Sequence, residues 1–375
     1  MPQYITKQKS EYIRPDEKLS RHSCIVPFQH IEIHSSGLIS ACCHTWLPTW
    51  VGNLLEDSAQ EVIDNADRKL IQENMRNGVF DHCNDQCPQL NSLLNSTAYS
   101  SNSSETYWDI IPSTMLDRKL ATSPIYIGFS YDLSCNLQCP SCRNELIVWR
   151  TDDINDKNGQ RIKLIHSKVK ELVHLLLNNN KLVFLTITGS GDAFASPLYW
   201  DYLVELANNP IPPNLRIQIK TNGVMMTPEK WDEIKPLWGS ITFVEVSVDA
   251  ATEDTYKIVR KNGNFNKLKK NLEVFDEMVY NKSFSRLDGW QTNIIVQRDN
   301  FSELKQFMEW QLTFKSKPLI WTNLIAQWYH MTDDNYTDKA VWMEGHPMRD
   351  KFLEILKDPI FINPQIKLGN LNSFI

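Results

Sequence analysis

From residue 123 onward the chain alternates short, apolar, β-rich runs with longer stretches of helical periodicity, and this alternation limits the fold more than any other feature. The runs are Ile125–Leu133, Leu182–Thr188, Leu215–Lys220, Ile241–Val248, Gln291–Gln297 and Leu319–Ile325. Between them lie Leu164–Leu177, Trp200–Ala207, Pro228–Lys235, Phe265–Val279 and Ser302–Leu312, where apolar residues recur at helical spacing. Strands separated by helices imply right-handed crossovers and a parallel sheet. Six such units predict an α/β fold of the (β/α)6 partial-barrel kind; a doubly wound open sheet has the same linear pattern.

The chemistry is carried by cysteines. There are eight, at 24, 42, 43, 83, 87, 135, 139 and 142, and none follows. Their meaning depends on the compartment. The opening residues are polar and hold no apolar signal region, and no run reaches the ~18 apolar residues of a membrane span. The expectation is a cytoplasmic protein without membrane attachment, where grouped cysteines read as metal ligands or redox groups. With 42% hydrophobic and 22% charged residues the chain is expected to fold. A net charge of -6 gives no reason to expect a nucleic-acid partner.

Cys135-Asn-Leu-Gln-Cys139-Pro-Ser-Cys142 follows the first predicted strand directly. In parallel α/β folds the loops at strand C-termini carry the chemistry. Three thiolates in eight residues can hold three irons of a cubane cluster and leave the fourth open to a chelating ligand. A zinc ion with a fourth ligand from elsewhere is the alternative. Spacing and placement together resemble the radical SAM superfamily, whose mark is C-x3-C-x2-C behind the first barrel strand. The resemblance implies a (β/α)6 partial TIM barrel, one [4Fe-4S] cluster on Cys135, Cys139 and Cys142, and S-adenosylmethionine (SAM) chelated at the open iron. Ser141 stands where relatives carry an aromatic residue.

The same resemblance implies further SAM-binding residues at successive strand ends. Gly189, Ser190, Gly191 and Asp192 stand where the family has a Gly-Gly-Glu-Pro-like segment for the methionyl amine, with Asp for Glu and Ala193 for Pro. Asn222 ends the third strand. Ser247 and Asp249 end the fourth, as ribose or methionine contacts. Arg260 matches an arginine that grips the SAM carboxylate. Gln297 ends the fifth strand near adenine and substrate. Each of these polar residues also reads as a strand-end cap or a solvated surface group.

The N-terminal segment holds the other five cysteines. Cys24, a Gly37-x4-Cys42 spacing, the phrase Val51-Gly-Asn-Leu-Leu-Glu-Asp-Ser58 before a helical run, and the pair Cys83 and Cys87 resemble SPASM/twitch accessory domains. In relatives that domain follows the barrel; here it precedes it. The resemblance implies a small α+β domain with an auxiliary [4Fe-4S] cluster on Cys24, Cys42, Cys83 and Cys87. Cys43 can exchange with Cys42, and a structural zinc on the same thiols stays open.

The expected organisation is an accessory domain at 1–90, a Ser/Asn/Thr-rich linker at 91–122, the barrel at 123–325 and an extension at 326–375 packed on the barrel. The implied function is reductive cleavage of SAM to a 5′-deoxyadenosyl radical that abstracts hydrogen from a peptide, protein or sugar. The auxiliary cluster would relay electrons, and a flavodoxin- or ferredoxin-like protein would supply them. The rival expectation is a non-catalytic protein-interaction module stapled by iron or zinc. A dinucleotide enzyme is disfavoured, since no G-x-G-x-x-G follows the first strand.

Overall fold

The computed structural model of the chain describes residues 19–84, 87–95, 110–113, 116, 124–328 and 330–375. They group into two compact units. One comprises Met1–Asp132, Arg150–Ser190 and Pro212–Arg216, and the other Leu133–Trp149, Gly191–Ile211 and Ile217–Ile375. Most of the stretch expected as a linker lies outside the described residues. Its first residues belong to a helix, Pro88–Asn95, and three others form a strand, Ile110–Pro112.

In the first unit, β1 (His22–Cys24) pairs antiparallel with β4 (Ile110–Pro112). β2 (His30–His34) turns through Gly37, at φ +89, into β3 (Ile39–Ser40). β2 also pairs in parallel with β5 (Tyr126–Ser130), and β5 with β6 (Val183–Ile187). The cysteine-rich segment therefore contributes a strand to the parallel sheet. All five residues of β5 are buried. The crossover from β5 to β6 is the helix Lys157–Asn179, which buries Ile162, Ile165, Val169, Leu172, Val173 and Leu176 along one stripe. The Asp156 side chain caps it by accepting from Gly159 N–H at 2.9 Å, so the helix starts well before its first apolar residue. A shorter helix, Ala66–Arg76, follows one opened by a capping box between Ser58 and Glu61.

The second unit holds β7 (Leu215–Thr221, from Ile217 on), β8 (Ile241–Ser247), β9 (Gly289–Val296), β10 (Leu319–Leu324) and β11 (Ile366–Lys367). They lie side by side in that order, all parallel. Within each unit the parallel strands follow chain order, with the antiparallel β3 outside β2; this is barrel-type winding, whereas a doubly wound sheet reverses at a switch point. Every predicted strand and helix from 123 on forms, with ends moved by a few residues. The expected run through Leu133 stops at Ser130, and Pro228–Lys235 ends as a helix at Glu233 before a 3-10 turn. β2 and β11 are parallel strands beyond the six expected. The 326–375 segment supplies β11, and the aromatic ring of its buried Phe352 lies 6.4 Å from that of Phe301.

Alternation divides the faces of these strands. Ile217, Ile219, Val244, Val246, Ile294 and Val296 are buried, each contributing about 1.5–3 kcal/mol by leaving water. Trp231, Phe275, Phe284 and Trp290 interlock on the helical layer, with centroids 5.1–5.6 Å apart. The opposite face is polar. Glu245 accepts from Gln291 and Asn293, both at 2.9 Å, and lies 3.6 Å from the Lys220 ammonium. No helix among the described residues is long and apolar enough to cross a membrane.

Candidate metal centres

The loop carrying Cys135, Cys139 and Cys142 lies in the second unit and is tied down by its own backbone. Cys135 N–H donates to the Ile147 carbonyl at 2.9 Å, and Gln138 N–H to the Lys261 carbonyl at 3.0 Å. The N–H groups of Cys142 and Arg143 donate to the Cys139 carbonyl at 2.9 and 3.0 Å. Ser134 accepts twice, at its carbonyl from Asp192 N–H and at its hydroxyl from Trp149 N–H. Cys135 and Cys139 are buried and Cys142 is exposed.

Each of the three sulfurs meets N–H donors. Cys135 Sγ accepts from Leu137 N–H at 3.4 Å and Asn222 Nδ2 at 3.6 Å. Arg260 Nη1 donates to Cys139 Sγ at 3.5 Å, and Arg143 Nη2 to Cys142 Sγ at 3.6 Å. Burial pushes the Cys135 thiol up to about 12, with Asp192 adding to the rise and Arg143 opposing it. Burial also raises the Cys139 thiol, against the pull of Arg260. Bound to iron, these groups are thiolates, and donors to sulfur are what hold a thiolate in a buried place.

The strand-end residues divide into two kinds. Asp192, expected to hold the SAM amine, is fully engaged by its own chain. Its Oδ1 accepts from Phe194 and Ala195 N–H, both at 3.0 Å; its Oδ2 accepts from Thr221 Oγ1 at 2.9 Å and Asn222 N–H at 2.6 Å. A carboxylate has about four lone-pair sites, so nothing remains for an ammonium, and Asp192 instead braces the loops. Asn222, so positioned, bridges Asn136 at 2.9 Å and Cys135. Asp249, at φ +65, is likewise held, by Arg260 at 2.9 Å and Ile295 N–H at 2.8 Å. Arg260 thus spans Asp249 and Cys139, and both keep its guanidinium charged despite burial.

Other groups have capacity left. Arg260 Nε, Asn293 Oδ1, the Tyr256 hydroxyl and both amide atoms of Gln297 are buried without a hydrogen-bond partner among the described residues. Buried polar atoms in this condition are open to water or to a polar ligand. Three donor-lined sulfurs together with these atoms fit an iron–sulfur cluster bearing a polar chelate. Ser247 ends β8 half-buried, opposite Asn293 in the neighbouring strand.

Gly189 and Ser190 belong to the first unit. Gly189 N–H donates to the Phe129 carbonyl at 2.9 Å, and Ser190 Oγ to the Ser130 carbonyl at 2.9 Å. A Cβ on Gly189 would meet Ser130 Oγ at 2.0 Å and Glu32 Oε1 at 2.7 Å, so a larger residue would displace the Ser130–Glu32 hydrogen bond. Glu32, on β2, accepts from the Ser130 hydroxyl at 2.5 Å. Gly191 follows at φ +77, in the second unit.

The N-terminal cysteines gather in the first unit. Burial lifts the Cys42 thiol well above its ordinary value, and the nearby Cys24, Cys83, Cys43 and Cys87 add to the rise. Cys83 is raised by burial and then by Cys24 and Cys87. Cys87 leads into the helix Pro88–Asn95, and the N–H groups of Leu90 and Gln89 reach its sulfur. Cys42 is buried and Cys43 half-buried. Among the described residues no three Cys, His, Asp or Glu side chains close on one ion position.

Arg143 and Glu32 were not singled out from the sequence. Arg143 was legible as a cation adjoining the motif. Glu32 had no local signal, because its partners lie on β5 and after β6.

Residues 133–310 match the model of the radical SAM superfamily, and residues 24–88 match that of an iron–sulfur cluster-binding domain, SPASM. Among solved structures the chain is similar to TYW1 with a lysine-pyruvate adduct bound, at 13% identity and a TM-score of 0.31. The similarity covers 56% of this chain and 65% of that one. No curated protein matches.

Proposed function

As this chain belongs to the radical SAM superfamily and carries an SPASM iron–sulfur cluster-binding domain ahead of its barrel, we propose that it abstracts hydrogen from a peptide, protein or carbohydrate with the help of two [4Fe-4S] clusters. One is held by Cys135, Cys139 and Cys142, the other by Cys24, Cys42, Cys83 and Cys87. The first cluster, when bound and reduced, would supply the one electron needed for reductive cleavage of SAM, the source of the hydrogen-abstracting species.

The chain's own residues prepare that chemistry. Leu137 N–H, Asn222, Arg143 and Arg260 donate to the three sulfurs and so stabilise their anionic form. Asp192 and Ser134 hold the cysteine loop and the Asn222 turn against each other, which fixes the donors before any ligand arrives. Arg260 Nε and the Gln297 amide supply unused hydrogen-bonding capacity for a polar chelate. The polar ladder Lys220–Glu245–Gln291/Asn293 suits a substrate rich in hydroxyl or amide groups, and this supports the peptide or carbohydrate class over an apolar one.

The observation that carries the proposal is the donor-lined trio of sulfurs. The four thiols assigned to the second cluster would leave no iron open, so it serves as an electron relay. A flavodoxin- or ferredoxin-like protein is the matching one-electron donor.

Anaerobic reconstitution tests this. About eight irons per chain from two four-iron clusters, and 5′-deoxyadenosine on adding dithionite and SAM, are expected. Cys83→Ala should remove about half the iron and abolish substrate turnover while SAM cleavage partly persists. Full turnover in that variant would remove the relay role, and absence of 5′-deoxyadenosine from the unmodified protein would remove the proposal itself.

A further inference from the structure

Of the two arginines that donate to the Cys139 and Cys142 sulfurs, Arg260 and Arg143, one lacks a carboxylate. Arg260 is neutralised by Asp249 at 2.9 Å. Arg143 has no such partner: among the described residues no carboxylate lies within ion-pair distance of it, yet only 7% of the residue is exposed. Its Nη1 donates to the Leu133 carbonyl at 2.7 Å and its Nη2 to Cys142 Sγ at 3.6 Å. Cys135 and Cys139 are also within electrostatic reach of the guanidinium. Burying an unpaired cation is costly, and the groups beside this one that can carry negative charge are the three sulfurs.

Resting on the cluster assignment proposed above, we propose that Arg143 is the built-in counter-cation of the Cys135–Cys139–Cys142 cluster and sets its reduction potential. Three thiolates and a cubane form a net anion, and one-electron reduction adds a further negative charge. A fixed positive charge beside the sulfurs stabilises the reduced state more than the oxidised one and raises the potential. The electron comes from an external one-electron donor, dithionite in the test, and no bond of the protein is made or broken. Arg143 touches a ligand sulfur rather than the reacting atoms, so it is a positioning and tuning residue. Its two-point hold gives the charge a fixed place: the Leu133 carbonyl anchors one nitrogen, and the other meets Cys142. Lysine keeps the charge and loses the fork; glutamine loses the charge.

The test is a mediated dithionite titration of the anaerobically loaded full-length chain, followed by electron paramagnetic resonance. The SAM-binding cluster is identified as the signal that changes when SAM is added, and the other cluster serves as reference within the same sample. Arg143→Gln is expected to lower the reduced-to-oxidised ratio at a fixed potential about tenfold, a shift of ~59 mV to more negative values for one electron. Iron content and the reference signal should stay unchanged, and Arg143→Lys should recover most of the shift. An unchanged potential in a fully loaded Arg143→Gln protein overturns the proposal and leaves Arg143 a loop brace. If Arg143→Gln does not load, Arg143→Lys decides: normal loading with a near-native potential supports the charge role, and failure of both variants to load assigns the residue to the Leu133 bond alone. Failure of the underlying cluster assignment is a separate result, seen in the unmodified protein as no SAM-sensitive signal.

Discussion

At the scale of single residues, the sequence identifies which groups matter more readily than what each one holds. The cysteine trio is legible because cluster chemistry demands a local spacing. Asp192 is legible as important, but its four donors come from its own loop and from Thr221 and Asn222, and a linear pattern does not reveal such tertiary partners. Arg143 is legible as a cation adjoining the motif, but its lack of a carboxylate partner among the described residues is displayed only by the folded chain. A residue-scale prediction concerns His34. Its ring accepts or donates at Ser40 Oγ at 3.0 Å and meets Trp50 edge-on at 5.0 Å, and burial lowers its pKa from 6.5 to about 4. The folded state therefore binds the proton less readily than the unfolded chain. Its contribution to stability is complete above pH 6.5 and is lost as pH falls towards 4, at up to ~1.4 kcal/mol per unit. Denaturant titrations across that window should show His34→Gln with a flatter pH dependence than the unmodified protein; parallel curves would exclude His34 as the source.

At the scale of elements, the alternation from 123 onward is enough to find six strands and the helices between them. β2 escapes it. His30-Ile-Glu-Ile-His34 is short and alternating, and reads as one arm of an accessory hairpin. It becomes a sheet strand by pairing with β5, far downstream, and local periodicity carries no information about such a partner. The pairing gives Ile31 and Ile33 their full burial and covers one edge of β5. A fragment beginning at residue 123 would leave that edge open on a strand buried along its whole length, an aggregation hazard. Expressed beside the full-length chain, it should collect in the insoluble fraction. Recovery of a soluble, monomeric fragment with native circular dichroism would show that β2 is dispensable.

At the scale of the whole molecule, the two groups of cysteines fall in different compact units: 24, 42, 83 and 87 in the first, 135, 139 and 142 in the second. Sequence spacing separates them too, but places the division at a linker, whereas the compact units cross the chain at several points. Loss of one group should leave the other able to load. Cys139→Ala is expected to retain about half the iron and an unchanged auxiliary signal, while forming no 5′-deoxyadenosine; loss of all iron would mean that loading is coupled. The make-up of the units has a consequence for inheritance. Each is assembled from three separate stretches of the chain, so an exchange at one crossover cannot divide the chain along the boundary between the units. Chimaeras joined at one crossover, in nature or in the laboratory, would carry an incomplete part of each unit.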